Sequence, residues 1–175
     1  MATKAYTRTG DNGFTSVFGR RLSKSDFCFE VIGDIDELNS AIGVCRTHTA
    51  DKKINNYLQQ VQINLFKAGA FLAGNQKLRI ALSDLKKLER TTNSIHAQLP
   101  ALNKFILPDG SELAAHLHLA RAVCRRTERR IVMLAEMIPI PSDMRKYFNR
   151  LSSLLFVLAR WANKTAKVKE TEWTP

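Results

Sequence analysis

The chain has 175 residues, a length suited to one domain and cramped for two. With 45% hydrophobic and 25% charged residues, and only eight Gly and five Pro, it is not a disordered tail, a linker-rich chain, a disulfide miniprotein or a coiled-coil rod. Its 27 Lys and Arg against 16 Asp and Glu leave a net charge of +11, which favours anionic partners: nucleic acid, an acidic membrane surface or phosphorylated small molecules.

Residues 1–24 are rich in Thr, Gly, Arg and Lys and carry no helical stripe. Met1–Gly10 lacks the apolar run of a secretory signal. In Thr7-Arg8-Thr9-Gly10-Asp11-Asn12-Gly13-Phe14-Thr15-Ser16, glycines allow tight turns with N–H groups aimed at an anion, and the hydroxyls suit phosphate oxygens. Arg8, Arg20, Arg21 and Lys24 add positive charge. The run makes sense as a phosphate cradle, although it is not a Walker A loop. On pattern alone, a polar leader without a ligand fits equally well.

After Ser25 apolar residues recur at three- and four-residue steps, which predicts helices. The stripes are Val31, Ile35, Leu38, Ile42 and Cys45; Ile54, Leu58, Val61, Leu65, Ala68 and Leu72; a shorter one through Leu85, Leu88, Thr92, Ile95 and Leu99; Leu113, Leu117, Ala120, Cys124, Ile131 and Leu134; and Phe148, Leu151, Leu155, Leu158 and Ala162. Ser83 and Asp84 mark a helix start and Pro100 its end; Pro108-Asp109-Gly110-Ser111 is a turn with an N-cap; Ser142, after Pro139-Ile140-Pro141, caps the last helix. No stretch alternates with period two, so no sheet is expected. The prediction is an all-α, up-and-down bundle of about five helices, of the ferritin-like or four-helix-bundle type. It forms a single domain, 1–175, with a leader (1–24), a helical bundle (25–163) and a charged tail (164–175). The longest apolar run, Leu154 to Ala159, is far short of the roughly 20 residues of a membrane span, so no membrane partner is expected. Cys28, Cys45 and Cys124 read as free thiols in a reducing, cytoplasmic setting.

Three helical segments carry polar groups of interest. On the fourth helix His118, Arg121, Arg125, Glu128 and Arg129 fall on one face beside the apolar seam. Such a cationic stripe is costly to desolvate unless it is paired or holds an anion; a solvated face is the alternative. The first helix carries Asp34, Asp36, Glu37 and Asn39; Asp36 and Glu37 suit salt bridges to those arginines, with general acid/base or Mg²⁺ chemistry as the second reading. Gly33, inside that helix, suggests a close backbone approach. Asn149 and Arg150 sit near the start of the fifth helix, where Asn149 suits either a ligand or solvent. The four histidines show no metal-ligand spacing, so no metal ligand is assigned.

Together, Thr7 to Ser16, Lys24, Gly33 to Gly43, Phe105-Ile106-Leu107-Pro108, Arg121 to Arg129 and Asn149 to Ser152 resemble the ATP:cob(I)alamin adenosyltransferases of the propanediol-utilisation type, in order and over nearly the whole chain. The resemblance implies a homotrimer with active sites between subunits, where cob(I)alamin attacks the 5′ carbon of ATP and triphosphate leaves. It implies ATP binding by Thr7, Arg8, Thr9, Gly10, Thr15, Ser16, Lys24, Arg125, Arg126, Thr127, Glu128, Arg129 and Asn149, with Mg²⁺ carried on the ATP phosphates. It further implies that Arg121 pairs with Asp36 across the interface, that Arg125 works on the leaving triphosphate, and that Phe105 stands against the corrin and keeps the lower axial ligand off cobalt. A cobalamin reductase and an adenosylcobalamin-dependent enzyme are the implied partners. Two positions depart from the family pattern: Ser153 replaces the usual Asp, and Pro108-Asp109-Gly110 replaces Pro-Gly-Gly. The alternatives are a non-catalytic protein that delivers or senses cobalamin, and a basic helical nucleic-acid binder, disfavoured because no aromatic residues interleave the basic ones.

Overall fold

The computed structural model describes residues 6, 8–17 and 20–174. Five helices follow a small hairpin: β1 (Phe14–Val17), β2 (Arg20–Ser23), α1 (Phe27–Thr47), α2 (Lys52–Leu72), α3 (Leu82–His96), α4 (Glu112–Met137) and α5 (Ser142–Ala166).

Short polar side chains set most helix starts by satisfying N–H groups that lack an intrahelical partner. The Asp26 carboxylate accepts from the Cys28 amide (2.9 Å), Asp51 from Lys53 (2.7 Å) and Ile54 (3.2 Å), and the Ser111 hydroxyl from Ala114 (3.3 Å). At α3, the Asp84 carboxylate reaches back to the Ala81 amide at 3.1 Å. The last helix departs from expectation: Pro141 occupies the cap position and Ser142 is already helical, so Ser142 caps nothing.

In the bundle α1 packs against α2 and α4, and α5 against α4 and α3. The short links 48–51 and 138–141 suit antiparallel neighbours. Each expected stripe points inward. Leu38, Ile42, Leu58, Leu65, Leu117, Cys124, Ile131, Phe148, Leu151 and Leu155 are wholly buried. Burying each large side chain contributes roughly 1.5–3 kcal/mol. In the third stripe Thr92 is half-buried and donates its hydroxyl to the Leu88 carbonyl at 2.9 Å.

The two ends of the chain were less legible. The expectation of no sheet is corrected, because β1 and β2 pair antiparallel, Phe14 opposite Ser23 and Val17 opposite Arg20. Helix α5 runs to Ala166, past the expected boundary, and ends on Lys167 in the left-handed region (φ +55°). The tail then returns to the long 97–111 connection, where the Leu107 amide donates to the Thr171 carbonyl (2.9 Å) and the Trp173 amide to the Phe105 carbonyl (2.8 Å). Gly33 does not mark a close approach within the chain, since a Cβ there would meet nothing within 4 Å. Gly110 is the glycine its turn requires: φ is +113°, and a Cβ would fall inside the Asn163 amide. No helix among the described residues is long and apolar enough to cross a membrane.

Candidate functional site

The hairpin folds the basic leader onto itself. The Lys24 amide donates to the Gly13 carbonyl at 2.8 Å, bringing the end of β2 beside the Gly10–Gly13 turn. The Lys24 ammonium then lies so close to Gly10 that a Cβ would stand 3.0 Å from it, so glycine makes room for the charge. Arg21 donates to the Thr9 carbonyl at 3.1 Å and covers the Phe14 ring; Arg8 lies over Tyr6. Thr15 and Ser16 sit on β1, half-buried and exposed respectively. Thr7 lies outside the described residues.

Helix α4 turns its successive arginines to different partners, as about 100° of rotation per residue requires. Arg126 and Arg130 face α1. Arg126 bonds Glu37 and approaches Asp34 Oδ1 at 3.6 Å, while Arg130 reaches Asp34 Oδ1 at 3.0 Å and Glu30 at 3.3 Å. Thr127, wholly buried, donates to the carbonyls of Val123 (3.0 Å) and Asp34 (3.3 Å). The family motif therefore splits: Arg126 and Thr127 fasten α4 to α1 and do not share a face with Arg121 and Arg125.

Arg121 and Arg125 make no ion pair among the described residues. With Ser152, Ser153, Phe156, Val157, Arg160, His96 and Leu102 they line a groove of about 250 Å³ between α4 and α5. Arg121 stacks over Phe156 at 5.4 Å, and burial, with Arg125 nearby, pushes its guanidinium below the usual value. Both effects disfavour the charged form, and an anion would relieve them. One turn on, the Asn149 amide donates to Glu128 Oε1 at 2.7 Å and its carbonyl oxygen accepts from Arg150, so Glu128, Asn149 and Arg150 form a chain. Arg150 is held in turn by Glu89 at 3.2 Å. Exposed Arg129 donates to the Arg125 carbonyl at 3.3 Å. His118 leaves the expected polar face: it is buried, edge-on to Phe156, and burial lowers its pKa so the ring stays neutral.

Phe105 is 80% exposed, an unusual position for a phenylalanine on a monomer surface. Its backbone is nevertheless fixed by the tail. Arg160, 2% exposed, forks onto both Glu170 oxygens (2.9 and 3.2 Å from Nε) and donates to the Pro100 carbonyl at 3.0 Å. Lys104 pairs with Glu172 at 3.0 Å. Asp36 is exposed and makes no ion pair among the described residues, whereas its neighbour Glu37 does.

Sequence reasoning missed Phe156, Arg160 and Glu170. The signal for the first two was present: Asn149, Ser153, Phe156 and Arg160 recur at helical spacing, and an arginine inside an apolar run asks for a buried partner. It also missed a contact that no local spacing reveals, in which His48 meets Glu112 and His116.

The family model for cobalamin adenosyltransferase matches residues 5–162. The chain is 43% identical to the corrinoid adenosyltransferase of Mycobacterium leprae, over 92% of each chain. It is 38% identical to that of Citrobacter freundii, over 94% of this chain and 98% of the other. A solved phenylalanine-to-alanine variant of the PduO-type ATP:corrinoid adenosyltransferase of Lactobacillus reuteri, complexed with cobalamin and ATP, superposes with a TM-score of 0.91 at 32% identity, covering 98% of this chain and all of that one. With its five helices, its basic leader and the divided arginine motif of α4, this chain belongs to the cobalamin adenosyltransferase family.

Proposed function

We propose that this chain transfers the 5′-deoxyadenosyl group of ATP to the cobalt of cob(I)alamin, as one unit spanning 1–175. The observation that carries the reading is the divided charge of α4, with Arg126 and Arg130 neutralised by α1 and Arg121 and Arg125 left, among the described residues, without carboxylate partners in a groove. A half-buried Arg121 guanidinium beside an exposed Arg125 favours an anion, and a polyphosphate is the anion that the leader also suits. In the reaction the cobalt(I) electron pair attacks C5′, the C5′–O bond breaks, and triphosphate leaves with the bond's electrons. Arg125 and Lys24 stabilise the charge that grows on the leaving oxygen. Arg8, Thr9, Gly10, Thr15, Ser16, Arg129 and Asn149 complete the nucleotide site with Thr7, while Arg126 and Thr127 act through the seating of α4. The nucleophile needs no base, so Glu128 orients Asn149 rather than moving a proton. The donor set fits Mg²⁺ as an ion carried on ATP: the described lining of the groove holds no carboxylate, and the ion would add charge neutralisation on the phosphates.

Phe105 supplies an apolar wall at the lower face of the corrin, which excludes water and an axial ligand and makes reduction to cobalt(I) easier. The site is completed by a second subunit in a homotrimer. Three features support this: a groove of about 250 Å³ in one chain, below the roughly 300–1,000 Å³ of small-molecule sites; a hairpin that packs chiefly on itself; and exposed Leu119, Met133 and Met137 on α4. Arg121 meets Asp36 of the neighbouring copy there. A cobalamin reductase would supply the substrate and an adenosylcobalamin-dependent enzyme would take the product. The buried thiols of Cys45 and Cys124, which form no disulfide, suit the cytoplasm.

Anaerobic absorbance with ATP, Mg²⁺ and chemically reduced cob(I)alamin tests the reaction. Loss of the cob(I)alamin band, appearance of adenosylcobalamin and release of triphosphate are expected. Binding of both ligands without conversion would instead mark a delivery or sensing protein, and binding of neither would leave the basic surface to a nucleic acid. For the interface, Asp36→Arg is expected to lower the assembled mass by light scattering and turnover by at least about tenfold, because it sets like charges together. The double variant Asp36→Arg/Arg121→Asp is expected to recover assembly but not turnover, since Arg121 also lines the groove.

A further inference from the structure

We propose that His48, Glu112 and His116 form a binding site for a borderline divalent metal ion, with Zn²⁺ as the natural occupant. The three residues come from the end of α1 and the first turns of α4, and their ligand atoms all lie within 4.8 Å of one another. Glu112 and His116 stand four residues apart and so share a face of α4. His48, at the C-cap of α1, is carried to them by the fold.

The hydrogen bonding of His48 is what distinguishes this cluster from an ordinary surface pair. Its Nδ1 lies 2.9 Å from the Val44 carbonyl oxygen and 3.0 Å from the Thr47 hydroxyl, which itself donates to that carbonyl at 2.8 Å, so a proton on Nδ1 is the arrangement that satisfies all three contacts. In the neutral ring, Nε2 then turns a lone pair toward Glu112 Oε1 at 3.1 Å. Two acceptors at that distance need a proton or a cation between them. The His116 ring, with its centroid 4.6 Å from that of His48, brings a third donor to the same point. A backbone carbonyl that fixes the tautomer of a ligating histidine is the usual outer-sphere support of a metal site.

The donor set selects the ion. Two imidazoles and one carboxylate suit Zn²⁺ and its neighbours in the first transition row, whereas Mg²⁺ and Ca²⁺ prefer oxygen alone. Bonds of about 2.0–2.1 Å in a tetrahedron place ligand atoms about 3.3–3.4 Å apart, which small rotamer changes of these surface side chains supply. The site opens on a groove of about 420 Å³ lined by His48, Glu112 and Trp161, leaving a fourth position for water. None of the three residues belongs to the ATP or corrinoid set; His118 and Arg121, which do lie by that site, turn to Phe156 on α5. A bound ion would staple the end of α1 to the start of α4.

The test uses the untagged full chain, stripped with a chelator, without ATP or cobalamin. Titration with Co²⁺ is expected to give visible d–d absorption saturating at one equivalent per chain and displaced by Zn²⁺. Zn²⁺ titrated calorimetrically is expected to bind about 10–100-fold more weakly to Glu112→Gln, and at least as much more weakly to His116→Ala. Zn²⁺ should raise the Tm of the wild type and of neither variant. Glu112 is exposed and His116 half-buried, and circular dichroism checks that the helices persist in both variants. Absence of a stoichiometric equivalent, unchanged affinity in both variants, or a thiolate charge-transfer band showing cysteine ligation would each overturn the proposal.

Discussion

Arg125→Ala is expected to lower kcat for adenosyl transfer by about 10²–10³-fold, equivalent to about 2.7–4 kcal/mol of transition-state stabilisation, while the protein stays folded. The side chain is exposed and makes no ion pair among the described residues, so its removal breaks no contact that holds α4 in place. In the proposed mechanism its charge matters when the leaving oxygen of triphosphate becomes more negative than it was in bound ATP. Stabilisation confined to that moment appears in kcat and leaves ATP affinity little changed. Arg125→Lys keeps the charge but not the planar fork, and should recover part of the rate. Arg126→Ala is the contrasting control: it removes the partner of Glu37 and one of the two arginines at Asp34, and so should act on stability first. Steady-state kinetics beside calorimetric ATP binding separates these outcomes. A loss confined to ATP affinity would make Arg125 a ground-state binding group only.

Arg160→Ala is expected to cost about 3–5 kcal/mol, because it strands the half-buried Glu170 carboxylate and frees the Pro100 carbonyl. For a chain of this size that lowers Tm by roughly 6–20 °C. The functional effect follows from where the tail is tied. Once Glu170 is released, the Leu107–Thr171 and Trp173–Phe105 hydrogen bonds lose their anchor, and Phe105 loses its fixed backbone. Cobalamin-side kinetics should then degrade with ATP affinity unchanged, the same defect expected of Phe105→Ala, which removes the proposed apolar wall itself. Amide exchange should rise at 105–107 and 171–173 together. A fall in Tm without that local exchange would make Arg160 a purely structural residue. Arg160→Met with Glu170→Gln removes both charges and should recover part of the stability.

The helices were readable because their buried positions are close in sequence: Val31, Ile35, Leu38, Ile42 and Cys45 all enter the core of one helix. The hairpin was not, since strands as short as Phe14–Val17 and Arg20–Ser23 offer too few residues for alternation to show. Within the site, the motif on α4 marked the right helix but not which arginine faces where. Adjacent Arg125 and Arg126 point about 100° apart, and only the position of α1 decides that Arg126 is the one neutralised. Contacts between distant segments, such as Arg160 with Glu170 and His48 with Glu112, depend on the completed fold and leave no periodic trace.

The pairing of 171–173 with 105–107 has a practical corollary. Lys167 and Lys169 are exposed between the end of α5 and Glu170, so a trypsin-like protease has adjacent targets there. One cut severs the Arg160 anchor and both backbone rungs while leaving the helices whole. Preparations nicked in this way would keep their helical circular dichroism, melt at a lower temperature and lose the fixed backbone at Phe105, which makes intact-mass measurement the proper quality control.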